Sequence, residues 1–181
     1  MKAINLKCEY LINPMGIDIQ NPRLMWNCDG GITQTAYRIV TKSGGKTVWD
    51  SGKVCSSSMR AEYPLALSSC ERISWNVTLW DENECDGEPS ETAFFETGLL
   101  SASDFTAKWI SGNYRVNKKK RYPVDCFKKR FSVKNIAKAR LYITACGLYE
   151  AKINGKRVGN FVLASGQAIT FLRVNRLSCS K

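Results

Sequence analysis

Turn residues recur through the first half of this chain at short intervals, and that punctuation constrains the fold more than any other feature. Asp29-Gly30-Gly31, Ser43-Gly44-Gly45 and Ser51-Gly52 separate short runs rich in β-branched and aromatic residues. Glycine supplies the positive φ that tight turns need, and aspartate and serine bond back to their own backbone. The spacing predicts strands over 24–28, 34–41, 46–50, 53–57, 71–81 and 92–97, with a polar loop over 82–89. In the run 71–81, Ile73, Trp75, Val77 and Leu79 share one parity, as a half-buried strand requires. In 34–41 the buried face starts at Ala36 or Tyr37. The fold class is therefore all-β: residues 1–98 form an immunoglobulin-like or fibronectin type III-like antiparallel sandwich. Trp26, Trp75, Phe94 and Phe95 are its expected core aromatics. Trp49 and Trp80, near strand ends, are expected to be partly exposed.

A second β-unit is expected after a linker at 99–122. Leu141, Ile143 and Ala145 alternate with Arg140, Tyr142 and Thr144. Gly147 breaks the run, and Tyr149, Ala151 and Ile153 resume it. Asn154-Gly155 then signals a type I′ hairpin turn, with a returning arm over 156–162. Upstream, Phe127, Phe131 and Val133 share a parity with Lys129, which predicts a strand over 126–133. Residues 123–165 thus read as the start of a jelly-roll-like sandwich that has too few strands to close. Residues 1–98 are expected to fold cooperatively, 123–163 to pair only locally, and 166–181 to lack order.

The wording of these segments goes beyond their periodicity. Tyr10-Leu11-Ile12-Asn13-Pro14-Met15-Gly16-Ile17-Asp18, Asn21-Pro22-Arg23-Leu24-Met25-Trp26 and Gln34-Thr35-Ala36-Tyr37-Arg38-Ile39 occur in order. So do Val48-Trp49-Asp50-Ser51-Gly52-Lys53-Val54, Phe95-Glu96-Thr97-Gly98-Leu99-Leu100 and the stretch 139–159. Together they resemble the N-terminal β-sandwich domains of bacterial α-L-rhamnosidases, inverting glycoside hydrolases that remove terminal rhamnose. The resemblance implies a carbohydrate-metabolism parent whose catalytic residues sit in a helical barrel several hundred residues downstream. That barrel is the implied partner. It would supply one carboxylic acid for the leaving oxygen and one carboxylate to activate water. No catalytic residue of that kind maps onto this chain. The resemblance also makes Asp104-Phe105-Thr106-Ala107-Lys108-Trp109-Ile110 a linking segment, with Trp109 as an interdomain anchor. It stops after Leu163-Ala164. Gly166-Gln167-Ala168-Ile169-Thr170 is what a family-like Trp-Thr-Ser-Tyr-His run yields when read one base late, so residues 166–181 are hypothesised to be an aberrant, frameshifted tail.

Composition closes off several chemistries. The chain has no histidine, which removes the commonest general base and metal ligand. Its eight cysteines, at 8, 28, 55, 70, 85, 126, 146 and 179, form no CxxC pair, so they read as reduced thiols and not as a zinc site. Asp18, Asp50, Asp81 and Glu96 sit at turns or strand ends and read as turn formers and solvated groups. We therefore expect no catalytic, cofactor or metal-binding residue. No apolar run is long enough to span a bilayer and no leader pattern opens the chain, so the expected compartment is the cytoplasm.

Charge is divided unevenly. Residues 1–98 carry 9 Lys and Arg against 13 Asp and Glu, whereas 99–181 carry 18 against 3. The clusters Lys118-Lys119-Lys120-Arg121 and Lys128-Lys129-Arg130 suit a polyanion electrostatically, but no nucleic-acid-binding signature accompanies them. The leading expectation is a non-catalytic N-terminal fragment of a rhamnosidase-like protein. Behind it stand a free carbohydrate-binding module and a basic polyanion-binding protein.

Overall fold

The computed structural model describes residues 1–115, 117, 119–134, 139–159, 163–165 and 170–174. Residues 1–98 form two facing β-layers. One contains β1 (Lys2–Cys8), β3 (Arg23–Asp29) and β7 (Arg60–Glu62), in the order β1-β3-β7. The other has the order β2-β9-β8-β4-β5, with β6 pairing β4 off that path. Its strands are β2 (Met15–Ile17), β4 (Ala36–Ser43), β5 (Lys46–Asp50), β6 (Val54–Cys55), β8 (Arg72–Trp80) and β9 (Ala93–Thr97). Pairing is antiparallel except for β2 and β9, which run parallel.

The strict alternation in β8 builds the core. Ile73, Trp75, Val77 and Leu79 are all buried, and β4 pairs along β8 from Ala36↔Trp80 to Ser43↔Ile73. Leu24, Trp26, Ile39, Tyr63 and Phe95 complete the interior. Each large side chain removed from water contributes about 1.5–3 kcal/mol, which makes this layer contact the main source of stability. Tyr63 meets Phe95 edge-on at 5.7 Å and Trp49 at 6.0 Å.

One expectation needs correction here. Phe94 and Phe95 cannot both face the core, because consecutive strand residues point to opposite sides. Phe95 is buried, while Phe94 faces out and lies under Arg72. Trp49 and Trp80 are half-buried, as their positions near strand ends suggested.

Three strands of the first sandwich, β1, β2 and β7, escaped the sequence reading. In β1 the buried residues are Ala3, Leu6 and Cys8, and the register slips between Ile4 and Lys7, where Asn5 has φ 53°. That bulge breaks the period of two on which the reading depends. In β7 only three residues pair, too few to show alternation.

The two layers are also tied by a polar clasp. Gln34, itself buried, accepts from Trp26 Nε1 at 2.9 Å. Its amide donates to the carbonyls of Ser56 and Ser58, both at 2.9 Å. One side chain thus satisfies three groups on two segments. Gln34→Ala leaves the indole N–H and two carbonyls to find other partners, and is expected to cost about 2–3 kcal/mol. Urea unfolding followed by far-UV circular dichroism measures it; a loss near zero would mean that water replaces the amide freely.

Beyond residue 98, a single 3-10 turn, η1 (Ala102–Asp104), is capped by Ser101. Residues 126–133 form no strand, and Phe127, Phe131 and Val133 are exposed. The alternation there was read as a strand, but a strand needs a ladder partner, and none of the described residues provides one. Next come β10 (Ala139–Ile143), β11 (Leu148–Tyr149), β12 (Lys152–Ile153), β13 (Lys156–Arg157), β14 (Ala164–Ser165) and β15 (Thr170–Val174). The Asn154-Gly155 turn is present, with φ of 51° and 76°, between the paired β12 and β13. The returning arm is shorter than expected; residues 160–162 lie outside the described residues. β10 pairs with β15, not with the nearer hairpin. The unordered tail expected at 166–181 therefore meets a paired strand at Thr170–Val174. Residues 166–169 and 175–181 lie outside the described residues. Among the described residues, no helix is long and apolar enough to cross a membrane.

Candidate functional site

The most organised cluster of polar side chains lies where the β10–β15 ribbon meets the first sandwich. β9 lies between β2 and β8 in its sheet, with Phe95 on the core face and Glu96 on the opposite face, toward the ribbon. Glu96 on β9 is 2% exposed. Arg140 on β10 closes on it in a two-pronged ion pair, Nε to Oε1 at 2.5 Å and Nη2 to Oε2 at 2.7 Å. The planar guanidinium matches the carboxylate edge to edge, which makes this the strongest class of charged hydrogen bond. That bond holds the Arg140 pKa above its ordinary value. β15 runs beside β2, so the ribbon approaches both edges of the same corner.

A second contact lies two residues along β10. Tyr142 Oη donates to Cys70 Sγ at 2.8 Å. Burial, and then the thiol itself, raise the phenol pKa. Cys70 sits at φ 63° in the loop before β8. That loop is a hub: Cys70 N donates to Gly98 O at 2.9 Å, and Ser69 Oγ accepts from Leu100 N at 2.8 Å and donates to Asp104. Thr97 Oγ1 donates to Ser68 O at 2.6 Å and accepts from Glu71 N at 2.8 Å. The loop 68–71 thus grips the end of β9, the capped turn at 101–104 and β10 together.

This geometry revises the reading of the acids. Glu96 is neither solvated nor a turn former; it is the buried half of an interdomain ion pair. A glutamate after two phenylalanines in a strand was the available signal, since a buried carboxylate requires a partner. The partner lies 44 residues away and could not be read from spacing. Arg140 and Tyr142, which alternate with Leu141 and Ile143 along β10, are the residues that contact the first sandwich. Asp81 and Asp18 fit the reading as a turn former and a solvated group, whereas Asp50 has an arginine partner. Asp81 Oδ1 accepts from Asn83 and Cys85 backbone N–H groups in a turn. Asp50 pairs with Arg38, whose hydrogen bond pulls its carboxyl down to about 2. Asp18 is exposed.

Trp109 is corrected as well. It was expected to anchor one domain on the other, but it is 70% exposed. The ion pair and the Tyr142–Cys70 bond do that work instead.

Three of the partly exposed rings carry a cation over one face. Arg23 lies over Tyr10 at 5.0 Å, Lys53 over Trp80 at 5.0 Å and Arg72 over Phe94 at 3.6 Å. Each cation occupies a face that a sugar would need. Among the described residues, no cluster of three or more metal-ligating side chains occurs. The seven described cysteines carry no disulfide, and burial pushes the Cys8 thiol up to about 12. Cys179 lies outside the described residues.

Comparison with known proteins agrees with the division seen in the fold. Residues 3–101 match the family described as the Rha78A-like, N-terminal immunoglobulin domain, and residues 134–173 match the α-L-rhamnosidase N-terminal domain. The second match continues past Ala164, where the motif resemblance was expected to end. An α-L-rhamnosidase of Alteromonas sp. (strain LOR) is 31% identical over 176 residues, covering 87% of this chain and 19% of that protein. The solved α-L-rhamnosidase of Dictyoglumus thermophilum superposes with a TM-score of 0.80 at 33% identity, over 95% of this chain and 23% of that one. That of Aspergillus terreus gives 0.72 at 31%, over 90% and 20%. The chain spans about a fifth of the length of these relatives. It belongs to the α-L-rhamnosidase family, carrying the family's N-terminal immunoglobulin domain and a match to the N-terminal domain that follows.

Proposed function

We propose that this chain is a non-catalytic scaffold of a longer protein that hydrolyses terminal α-L-rhamnosides. In it, the first sandwich holds the following β-layer at a set angle beside a catalytic region. The buried Glu96–Arg140 pair carries this reading, because it joins the two family-matched segments by a contact that fixes orientation as well as distance. The relatives' greater length leaves room for the catalytic region outside this chain. Inverting hydrolysis needs two carboxyl groups across one bond, roughly 6.5–9.5 Å apart with space for a water. The acids singled out here are committed to a turn, to arginine partners or to open solvent.

The purified chain, incubated with a chromogenic α-L-rhamnoside, is expected to release product no faster than buffer. Turnover that copurifies with the chain and persists after removal of any full-length enzyme would contradict the reading. The alternative is a free carbohydrate-binding module, for which Tyr10, Trp80 and Phe94 carry cations on one face but Trp109 is open. It predicts a saturable tryptophan fluorescence change with soluble rhamnose, where the scaffold reading predicts none.

A further inference from the structure

Among the described residues, the longest exposed run lies between 106 and 134, where every described residue except Gly112 is exposed. It is built, not merely extended. Tyr114 and Tyr122 stack at 4.9 Å, Tyr114 Oη donates to Asp125 at 3.0 Å, and Asn117 N donates to Tyr122 Oη at 2.8 Å. These contacts frame a loop that presents Lys119, Lys120 and Arg121, followed by Lys128, Lys129 and Arg130. Between the cations lie Val124, 89% exposed, Phe127 and Phe131. A basic surface with interleaved apolar groups fits an acidic partner that also offers an apolar contact.

Such a partner is present on the same chain. The loop between β8 and β9 carries Asp81, Glu82, Glu84, Asp86, Glu88 and Glu91, with no lysine or arginine among residues 81–91. It too is held in place: Gly87 N donates to Leu79 O at 2.8 Å and Ser90 N to Val77 O at 2.8 Å. Glu82 accepts from Ile32 N and Thr33 N, which brings Ile32, 87% exposed, to its side. Glu84, Asp86, Glu88 and Glu91 point to solvent. Within one copy, no ion pair joins this loop to the basic segment among the described residues.

We propose that the basic, apolar segment 106–134 is a docking surface for a second copy of this chain, whose acidic β8–β9 loop and Ile32 seat on it. The contact is heterologous, since two different patches meet, so further copies can add head to tail. The charge complementarity sets the pairing, and salt weakens it because both patches are exposed. The chain's net charge of +11 opposes random association, so the opposed patches must supply the specificity.

Sedimentation of the full chain across a concentration series tests this. At about 50 mM salt the average mass should rise with concentration, and at about 500 mM it should return to the monomer, because the screening length falls several-fold. The triple variant Glu84→Lys, Glu88→Lys, Glu91→Lys and the triple variant Lys119→Glu, Lys120→Glu, Arg121→Glu should each associate at least about tenfold more weakly. An equimolar mixture of the two should associate again, since each then offers the other a complementary patch. The salt series on the unaltered chain stands even if a variant fails to fold. A chain that stays monomeric at low salt, or whose association strengthens with salt, overturns the proposal. So does a chain that remains monomeric while binding heparin or a single-stranded oligonucleotide, since the basic surface would then serve a polyanion.

Discussion

Trp75→Ala is expected to destabilise the first sandwich severely, by about 3–5 kcal/mol. Trp75 is 1% exposed in the middle of β8, flanked on its own face by Ile73 and Val77. Truncating a buried tryptophan costs about 3–5 kcal/mol, through lost transfer energy and the cavity left behind. A domain of this size has only about 5–15 kcal/mol in total, so the change removes a large fraction of it. Trp75→Phe provides the control. Among the described residues the Trp75 indole N–H has no hydrogen-bond partner, so its replacement by a ring without that donor removes a buried liability along with some area. The phenylalanine variant should therefore lose no more than about 1.5 kcal/mol. Trp26→Phe should lose more, because it takes the donor from Gln34 Oε1. Urea titrations followed by far-UV circular dichroism would rank the three. If Trp75→Ala unfolds with nearly the parent midpoint, the core assignment is wrong.

Arg140→Met should be the most damaging change outside that core. It leaves the Glu96 carboxylate buried without its two-pronged partner, a loss of about 3–5 kcal/mol when the site cannot rehydrate. The molecule has one escape: the β10–β15 ribbon can lift away and let water reach Glu96. The cost is then capped at the free energy that docks the ribbon, and unfolding splits into two steps. Pairing Arg140→Met with Glu96→Leu replaces both charges by apolar groups and should recover most of the loss. The two changes together are expected to cost at least about 2 kcal/mol less than the sum of the singles. Additive losses would show that the pair does not couple the two segments. Salt is a second readout. The exposed Arg38–Asp50 pair should weaken with ionic strength, whereas the buried Glu96–Arg140 pair should respond little.

Both predictions turn on residues that differed in how far they could be read beforehand. Trp75 was legible because β8 alternates without interruption for nine residues and the loop that follows it is marked by Asp81, Asp86 and Gly87. The Asn154-Gly155 turn was legible for the same kind of reason: both residues adopt positive φ, which few others tolerate. β1 was not legible, because a bulge at Asn5 shifts Ala3 and Leu6 out of a common parity. The 126–133 segment misled in the opposite direction. Its alternation is genuine, but alternation describes what one face could bury, not whether another layer exists to bury it.

Local chemistry in the chain thus determined the strand class, the turns, the main core face of the first sandwich and the family resemblance. These depend on φ preferences and a period of two, which act between near neighbours. Only the tertiary structure decided that Glu96 is buried, that Arg140 and Tyr142 face the first sandwich, that β10 pairs with Thr170–Val174 and that Trp109 stays in solvent. Those outcomes depend on which surfaces meet across more than 25 residues of chain, and a charge or an apolar face carries no address for its distant partner.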